Sequence, residues 1–330
     1  MSKIIGLGNA LVDILVILEN DNLLKEIELP KGSMQLITTE KFIELKNILS
    51  RMDTYQATGG SAANTILALA SLQTPVGFIG KIGSDHFGTF FERSFKKKGI
   101  ETKLLIDEQH NSGVASTFIS PDGERTFGTF LGAAAELSAY DIHNDIYSGY
   151  DILYVEGYLV QNHDLILKAV KLAKELGVKV CIDLASYNIV AEDLEFFTYL
   201  VENYVDIVFA NEEEAFAFSG LRDPKEALDY IAKRCSIAVV KVGANGSYVM
   251  CDGVCKHAKA LNNRSVLDTT GAGDYFAAGF LYGYISGINL LKCAEIGSLL
   301  SGHVIEVVGT SLIDTAWSNI LKKIDVIMHR

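Results

Sequence analysis

Short apolar runs alternate with longer amphipathic stretches along most of the chain. The runs are rich in Ile, Val, Phe and Tyr, a composition typical of buried strands, and they lie at 3–8, 76–80, 151–155, 178–184, 206–210 and 236–242. Stretches with the helical period lie between them, at 61–72, 85–98, 163–175 and 191–203. This alternation predicts an α/β fold in which a doubly wound, mostly parallel sheet carries helices on both faces.

Two segments interrupt the alternation, at 12–37 and at 101–130. Each has the character of extra β structure, and the second surrounds a Pro-Asp-Gly turn at 121–123. Strands inserted near the start of a parallel sheet lie beside the carboxyl ends of its strands, where such folds bind ligands. We therefore expect these two segments to form a small β-sheet lid over a binding site.

The last part of the chain predicts helices, two of them within 268–308 and a final one at 314–328. The most apolar segment, 275–291, contains glycines at the four-residue spacing used by packed transmembrane helices. It is short for a membrane span, and charged residues stand at both ends, at Asp274 and Lys292. A helix packed closely against the sheet is therefore expected, with no membrane association.

Composition narrows the possible functions. The 330 residues are 49% hydrophobic and 21% charged, which is typical of a well-filled globular protein. Lys and Arg number 29 against 41 Asp and Glu, so the formal charge is -12, the wrong sign for a nucleic-acid partner. The five scattered cysteines favour a reducing cytoplasm over a disulfide framework. Cys251, Cys255 and His257 lack the paired spacing of a zinc site.

A glycine-containing loop, Asp-Thr-Thr-Gly-Ala-Gly-Asp at 268–274, leads directly into the apolar helix. Gly271 and Gly273 leave the approach free of side chains, so backbone amides and the helix dipole can face an anion. Asp274 in the first turn can orient an attacking hydroxyl and accept its proton. The alternative is an acidic residue that only caps the helix.

A second glycine pair, Gly59 and Gly60, also precedes a predicted helix. Glycines allow close backbone approach, and Asn64 offers both a donor and an acceptor to a ligand with several hydroxyl groups. Asp13, after the first strand, can accept hydrogen bonds from two adjacent sugar hydroxyls. A structural loop and a solvated turn residue are the respective alternatives.

Three further positions offer groups for a nucleotide or a metal ion. Asn211 stands at the carboxyl end of a predicted strand and Glu214 one turn into the next helix, where hard oxygen ligands suit Mg²⁺ or its water shell. An acidic helix start is the rival interpretation. Arg125 is either a lid cation for phosphate or a solvated charge, and 241–246 predicts a strand and tight turn that can contact a nucleotide. No stretch meets the full P-loop pattern.

These motifs, in this order, resemble the signatures of the ribokinase, or PfkB, family of carbohydrate and nucleoside kinases. The glycine pair with Asn64 resembles the first signature, the 268–274 loop resembles the second, and Asn211 with Glu214 matches an Asn-x-x-Glu motif. The resemblance extends from Gly8 to about Gly309. It implies that the whole chain forms a single ribokinase-like domain, a transferase that uses ATP and Mg²⁺.

The resemblance also implies roles for individual residues. Asp274 is expected to be the catalytic base, with the Gly271, Ala272 and Gly273 amides as its anion hole. The acceptor's hydroxyl groups are expected to bind Asp13, Gly59, Gly60 and Asn64. The residues expected to border ATP are Arg125, Lys241, Gly243, Gly246, Gly302 and His303. Asn211 and Glu214 are expected to organise Mg²⁺, while Asp268 and Thr270 match positions that hold a monovalent cation such as K⁺ in some members.

The acceptor is expected to be a small molecule that contains ribose. The Gly-Asn-Ala-Leu-Val-Asp-Ile stretch at 8–14 and the Gly-His pair at 302–303 resemble adenosine kinases, although Ala10 stands where those proteins have Pro. We therefore expect transfer of the γ-phosphoryl group to a primary hydroxyl, preferably of a nucleoside. A sugar or sugar-phosphate kinase and a catalytically silent nucleotide or nucleoside sensor are the alternatives. Both a monomer and a homodimer remain open.

Overall fold

The computed structural model describes residues 2–261 and 265–330, in which the chain forms two β-sheets flanked by helices. The strands are β1 (Ile4–Leu7), β2 (Leu11–Ile17), β3 (Met34–Leu36), β4 (Tyr55–Gly59), β5 (Val76–Gly83), β6 (Glu101–Asp107), β7 (Gly113–Ile119), β8 (Arg125–Phe130), β9 (Ile152–Glu156), β10 (Lys179–Asp183), β11 (Ile207–Asn211), β12 (Ile237–Lys241), β13 (Ser247–Cys251) and β14 (Val254–Ala258). The α-helices are α1 (Asn22–Glu26), α2 (Thr39–Leu49), α3 (Ser61–Ser71), α4 (His86–Lys97), α5 (His163–Glu175), α6 (Tyr187–Glu192), α7 (Leu194–Tyr204), α8 (Glu212–Ser219), α9 (Pro224–Ala232), α10 (Ala272–Ile285), α11 (Leu290–Val304) and α12 (Asp314–His329).

The larger sheet has the order β14-β13-β12-β11-β10-β9-β1-β5-β6. Pairing is parallel from β12 to β6, and β13 and β14 extend the other edge as an antiparallel hairpin. All six predicted strands lie in this sheet. The first strand is central, since Ile4 pairs with both Val76 and Ile152. The predicted doubly wound, mostly parallel α/β fold is confirmed.

Helices cover both faces of this sheet because successive strand side chains point to opposite sides. On β1, Ile4 belongs to the core under α3, α10 and α11, whereas Ile5 belongs to the core under α5, α7 and α9. The prediction of a single helix at 191–203 is wrong, because the segment is divided between two helices. Asp193 leaves the helical region (φ −127°, ψ 32°), and the segment forms α6 and α7 instead.

The apolar segment predicted to pack closely against the sheet forms α10. Its Phe280 ring contacts Phe209 of β11, with ring centroids 5.3 Å apart. The helix ends before Gly287, which has a positive φ of 73°. A Cβ atom at Gly279 would lie 2.7 Å from the Ile296 carbonyl oxygen, and one at Gly283 would lie 3.0 Å from Cys293 Cα. The glycines therefore allow α10 to pack against α11, and not against the sheet as predicted. Among the described residues, no helix is long and apolar enough to cross a membrane.

The smaller sheet has the order β3-β8-β7-β2-β4 and is the predicted lid sheet, with two corrections to its composition. The start of the 101–130 segment forms β6, which pairs in parallel with β5 at the edge of the larger sheet. An unpredicted strand, β4, pairs with β2 in the smaller sheet. Strand periodicity identifies a strand but not its neighbour, and β6 follows α4 as one more βα unit. The unpredicted helix α2 covers this sheet, with Phe42 stacked on Phe130 at 4.5 Å.

Candidate functional site

A cleft of about 970 Å³ lies between the carboxyl ends of the larger sheet's strands and the smaller sheet. Ligands bind at this edge in open α/β sheets because the loops and helix N-termini converge there. The predicted site residues that line it are Asp13, Gly60, Asn64, Asn211, Glu214, Lys241, Gly243, Gly246, Thr270, Gly271, Ala272, Gly273, Asp274 and Gly302. The structure therefore brings together motifs that are separated by more than two hundred residues in the sequence.

Asp274 lies where the two glycine-containing loops meet. Gly271 adopts a positive φ of 73° at the N-cap of α10, and Asp274 follows in the first turn. Its carboxylate accepts hydrogen bonds from Ser61 Oγ at 2.7 Å and Asn64 Nδ2 at 2.9 Å, both on the first turn of α3. The side chain is thus fixed by a second helix rather than left as a solvated cap.

Burial raises the pKa of Asp274 to about 6, while the Ser61 and Asn64 hydrogen bonds oppose the increase. The nearby Asp183 carboxylate adds to it and the Lys241 ammonium lowers it. A carboxylate with this pKa is mostly ionised at neutral pH and is a stronger base than an ordinary Asp. This value suits a group that must accept a proton from an alcohol late in the reaction.

The start of α3 is held by Glu156, the last residue of β9, which the sequence did not single out. Glu156 is 1% exposed and accepts hydrogen bonds from Asn9 N and Ala62 N, each at 2.9 Å. Burial raises its pKa to about 7, and these hydrogen bonds counteract the increase. An acidic residue directly after a predicted strand was the available signal, because that position belongs to the ligand-binding edge.

Gly60→Ala is expected to destabilise the protein and distort the site. Gly60 has a φ of 100°, and a Cβ atom there would overlap the Asn9 carbonyl oxygen. The backbone strain and the clash together are expected to cost about 2 to 4 kcal/mol of unfolding free energy. Gly99→Ala is the matched control, since Gly99 has a φ of 74° with open space around it, and it is expected to cost about 1 kcal/mol. Equal urea midpoints for the two variants would contradict the prediction.

Lys241 brings a cation to the predicted anion hole. Its ammonium is 2.8 Å from Asp183 Oδ2, and a Cβ atom at Gly273 would lie only 3.1 Å from the same ammonium. Burial alone would lower the pKa of Lys241, but the Asp183 and Glu214 carboxylates raise it overall, so the side chain stays charged. Asp183, at the end of β10, is a second acidic strand-end residue that the sequence did not single out.

Asn211 and Glu214 form a reciprocal capping box at the start of α8. Asn211 N and Nδ2 donate to the two Glu214 carboxylate oxygens at 2.8 and 2.7 Å, and Glu214 N donates to Asn211 Oδ1 at 2.8 Å. Burial raises the pKa of Glu214 to about 7, and Lys241 counteracts the increase. Both residues line the cleft with hard oxygen atoms, which fit the water shell of Mg²⁺ better than direct ligation.

Arg125 lies under the lid, where it contacts both residues expected to hold a monovalent cation. Arg125 Nη2 is 2.5 Å from Asp268 Oδ2, and Nη1 donates to Thr270 Oγ1 at 3.2 Å. The two side chains of the pair are 9% and 3% exposed. Because a guanidinium already occupies this place, Asp268 and Thr270 as positioned do not fit K⁺.

The remaining predicted residues lie around the cleft in different ways. The Gly59 backbone packs against the Asp13 carboxylate, where a side chain would clash. Burial raises the pKa of Asp13 to about 7, with Arg125 lowering it and Asp274 adding to it. Within the described residues, His303 lies outside the cleft lining, with its ring 3.3 Å from Lys323 Nζ. From the lid, Met34 and Phe127 line the cleft, and neither was predicted.

In the described parts of the chain, no group of three or more His, Cys, Asp and Glu residues is arranged to hold a metal ion. Cys251, Cys255 and His257, considered above as zinc ligands, are not part of such a group. Cys255 and His257 are exposed on β14, and the His257 ring lies against the Asn245 carbonyl oxygen at 2.8 Å.

Comparison with known proteins agrees with this geometry. A profile described as pfkB family carbohydrate kinase matches residues 33–316. A 5-dehydro-2-deoxygluconokinase of Bacillus licheniformis is 28% identical over 92% of this chain and 89% of its own length. A probable sugar kinase from Rhizobium etli superposes with a TM-score of 0.88 at 33% identity, covering 98% and 99% of the two chains. An adenosine kinase from Sinorhizobium meliloti superposes at 0.86 with 34% identity, covering 96% and 98%.

Proposed function

The chain belongs to the PfkB family of carbohydrate kinases, and from this premise we propose that it transfers the γ-phosphoryl group of ATP to a primary hydroxyl of a nucleoside. As a kinase, it is a phosphotransferase with an alcohol group as acceptor. The Asp274 carboxylate carries the proposal, because it faces the cleft from the first turn of α10, next to backbone amides and one ammonium group. Phosphoryl transfer needs such alignment and charge stabilisation.

On the acceptor side, we assign Asp274 to the reacting hydroxyl. It would accept the hydroxyl's hydrogen bond and hold the oxygen in line with the γ-phosphorus atom. It would take the proton as the new P–O bond forms and the bond from the γ-phosphorus atom to the bridging oxygen breaks, which releases ADP. Asp13 and Asn64 also line this part of the cleft, where they would bind other hydroxyl groups of the same sugar ring. Ser61 keeps Asp274 in this orientation through its 2.7 Å hydrogen bond.

On the phosphate side, we assign the amides of Gly271, Ala272 and Gly273 to the charge that develops on the transferred group. The ammonium of Lys241 adds a positive charge at the same place. Asn211 and Glu214 would hold Mg²⁺ through its water shell, and the ion would supply neutralisation of the phosphate charge. The backbone glycines Gly243, Gly246 and Gly302 line the outer cleft, where the rest of ATP would lie.

The preference for a nucleoside depends on the lid. Met34 on β3 and Phe127 on β8 are register partners, and both line the cleft. An aromatic ring and a thioether provide an apolar surface on which a nucleobase can pack. A simple sugar has no such base. The adenosine kinase among the structural neighbours supports this choice. The names of the 5-dehydro-2-deoxygluconokinase relatives support the second candidate, a sugar kinase.

The test is ADP release by the purified protein with Mg-ATP and a panel of acceptors: adenosine and other nucleosides, ribose, hexoses, hexose phosphates and 5-dehydro-2-deoxygluconate. We expect the highest kcat/KM with a nucleoside. Phe127→Ala should raise KM for that nucleoside without changing KM for ATP, because the ring faces the acceptor's base. Turnover of sugars alone would overturn the nucleoside assignment. ATP binding without turnover of any acceptor would favour a nucleotide sensor.

Activity is expected to fall at acid pH as Asp274 becomes protonated. Because its pKa is about 6, log kcat/KM should drop by about one unit per pH unit below that value. Ser61→Ala removes a hydrogen bond that stabilises the Asp274 carboxylate, so the pKa of Asp274 rises. The acid-side decline of kcat/KM should then move to higher pH by roughly 0.5 to 1 unit. Ser71→Ala, on the same helix but remote from Asp274, is the control. If kcat/KM of Ser61→Ala declines at the same pH as that of the unmodified protein, the decline is not caused by protonation of Asp274.

A further inference from the structure

We propose that the Arg125 guanidinium is a built-in substitute for the monovalent cation of related kinases, so that this protein functions independently of K⁺. The guanidinium contacts Asp268 and Thr270, the two residues expected to hold such an ion, at 2.5 and 3.2 Å. The pair is almost completely buried. The positive charge at this place is therefore part of the chain itself.

Charge balance supports this assignment. A carboxylate as buried as Asp268 requires a counter-charge, which either a bound ion or a cationic side chain can supply. Asp268 Oδ1 also accepts a hydrogen bond from Thr270 N at 2.9 Å, and Oδ2 accepts one from Gly309 N at 2.7 Å. With Arg125 on Oδ2, both carboxylate oxygens are engaged. A further cation at the same carboxylate would be repelled by the guanidinium at close range.

The arginine side chain is well suited to this place. A guanidinium is planar and permanently charged, and its separate nitrogen atoms can serve two partners at once. Here one pairs with the Asp268 carboxylate and the other donates a hydrogen bond to the Thr270 hydroxyl. A monovalent metal ion would instead accept lone pairs from several oxygen atoms around it. Arg125 therefore supplies the charge of the ion through an ion pair with Asp268 and a hydrogen bond to Thr270.

The ion pair braces the loops that form the catalytic centre. The loop 268–270 leads directly into Gly271 and the anion hole. The loop that follows α11 is tied to the same centre, since Thr310 Oγ1 donates to Asn64 Oδ1 at 3.1 Å and the Tyr275 hydroxyl donates to the Thr310 carbonyl oxygen at 2.5 Å. Arg125 thus acts as a positioning residue, through Asp268, on groups that surround the catalytic base.

Arg125 is also the first residue of β8, in the smaller sheet. A cation from solvent would bind its loop whatever the position of the lid, whereas the guanidinium reaches Asp268 only when the lid is in place. The inference is that lid position and anion-hole geometry are coupled through one ion pair. This catalytic consequence rests on the proposed kinase function, but the ion pair itself can be tested without any assay of catalysis.

The first test compares the melting temperature of the unmodified protein in KCl with that in tetramethylammonium chloride at equal ionic strength. We expect the two values to agree within about 1 °C, because no K⁺ ion binds the folded state. A melting temperature that rises with K⁺ concentration would overturn the proposal. This measurement requires neither a variant nor an acceptor substrate, so its outcome is independent of the kinase assignment.

The second test uses Arg125→Met, which keeps the volume and removes the charge. We expect a lower melting temperature and, unlike in the unmodified protein, a partial recovery by K⁺ that is absent in tetramethylammonium. The double variant Arg125→Met/Asp268→Asn lacks the buried carboxylate and should not respond to K⁺. If Arg125→Met loses kinase activity but its melting temperature does not depend on K⁺, Arg125 only contacts the ATP phosphates and the proposal is wrong.

Discussion

Asp274→Asn is expected to lower kcat by about 10²- to 10⁴-fold, because an amide cannot accept the proton of the attacking hydroxyl. The affinity for ATP should change little, since the anion-hole amides of Gly271 and its neighbours are retained. An amide can keep both existing hydrogen bonds, with its oxygen toward Asn64 and its NH₂ group toward Ser61. Steady-state ADP release and ATP binding by calorimetry measure the two quantities separately.

The same substitution is expected to stabilise the fold at neutral pH. The folded-state pKa of Asp274 is about 6, against an ordinary value of 3.8. Ionisation is therefore less favourable in the folded state, and this penalty grows from pH 3.8 to about 6 and then stays constant. Removing the charge should raise the unfolding free energy at pH 7.5 by roughly 1 to 3 kcal/mol.

Asp314→Asn is the matched control for this prediction. Asp314 occupies the first turn of α12 and is exposed, so its loss should leave both turnover and stability nearly unchanged. Normal turnover in Asp274→Asn would show that the carboxylate is not the base. An Asp274→Asn variant that is less stable than the unmodified protein would contradict the assigned pKa direction.

Lys241→Met is expected to lower kcat by about 10²- to 10³-fold, since it removes a positive charge held beside the anion hole. It should also destabilise the fold by roughly 3 to 5 kcal/mol, because the Asp183 and Glu214 carboxylates lose their buried counter-charge. The two effects must be separated before the activity loss can be assigned to catalysis.

The double variant Lys241→Met/Asp183→Asn separates them. It removes both members of the ion pair, so most of the lost stability should return while turnover stays low. Lys256→Met, on the exposed hairpin strand β14, controls for the loss of a lysine as such. Recovery of turnover together with stability in the double variant would show that Lys241 acts only as a structural counter-charge.

The fold was predictable because buried parallel strands produce continuous apolar runs, and six of these runs identified the larger sheet correctly. The assignment of 101–107 to the lid was wrong because side-chain alternation does not specify which strand is the neighbour. Strand β4 was missed because Tyr55–Gly59 is buried only at Gly59 and does not form an apolar run. Sheet membership depends on contacts between distant parts of the chain, which local patterns do not contain.

Within the candidate site, the glycine-containing loops were recognisable because their spacing is local. Asp183 and Glu156 were missed, since each is a single acidic residue at the carboxyl end of a strand, which is a common place for a solvated side chain. Their partners are Lys241, 58 residues away, and Asn9, 147 residues away. Arg125 was identified as a cation, but its pairing with Asp268 required the lid to be placed on the larger sheet.

The position of β1 in the larger sheet has a consequence for biosynthesis. Residues 4–7 are translated before both of their partner strands, yet they lie between these strands, β5 and β9, in the sheet. Their second partner strand ends only at Glu156, so this apolar segment is not enclosed until about 150 further residues have been translated. During that interval it is a natural binding site for chaperones. Slower elongation before residue 156 should therefore increase aggregation of the nascent protein more than slower elongation after it.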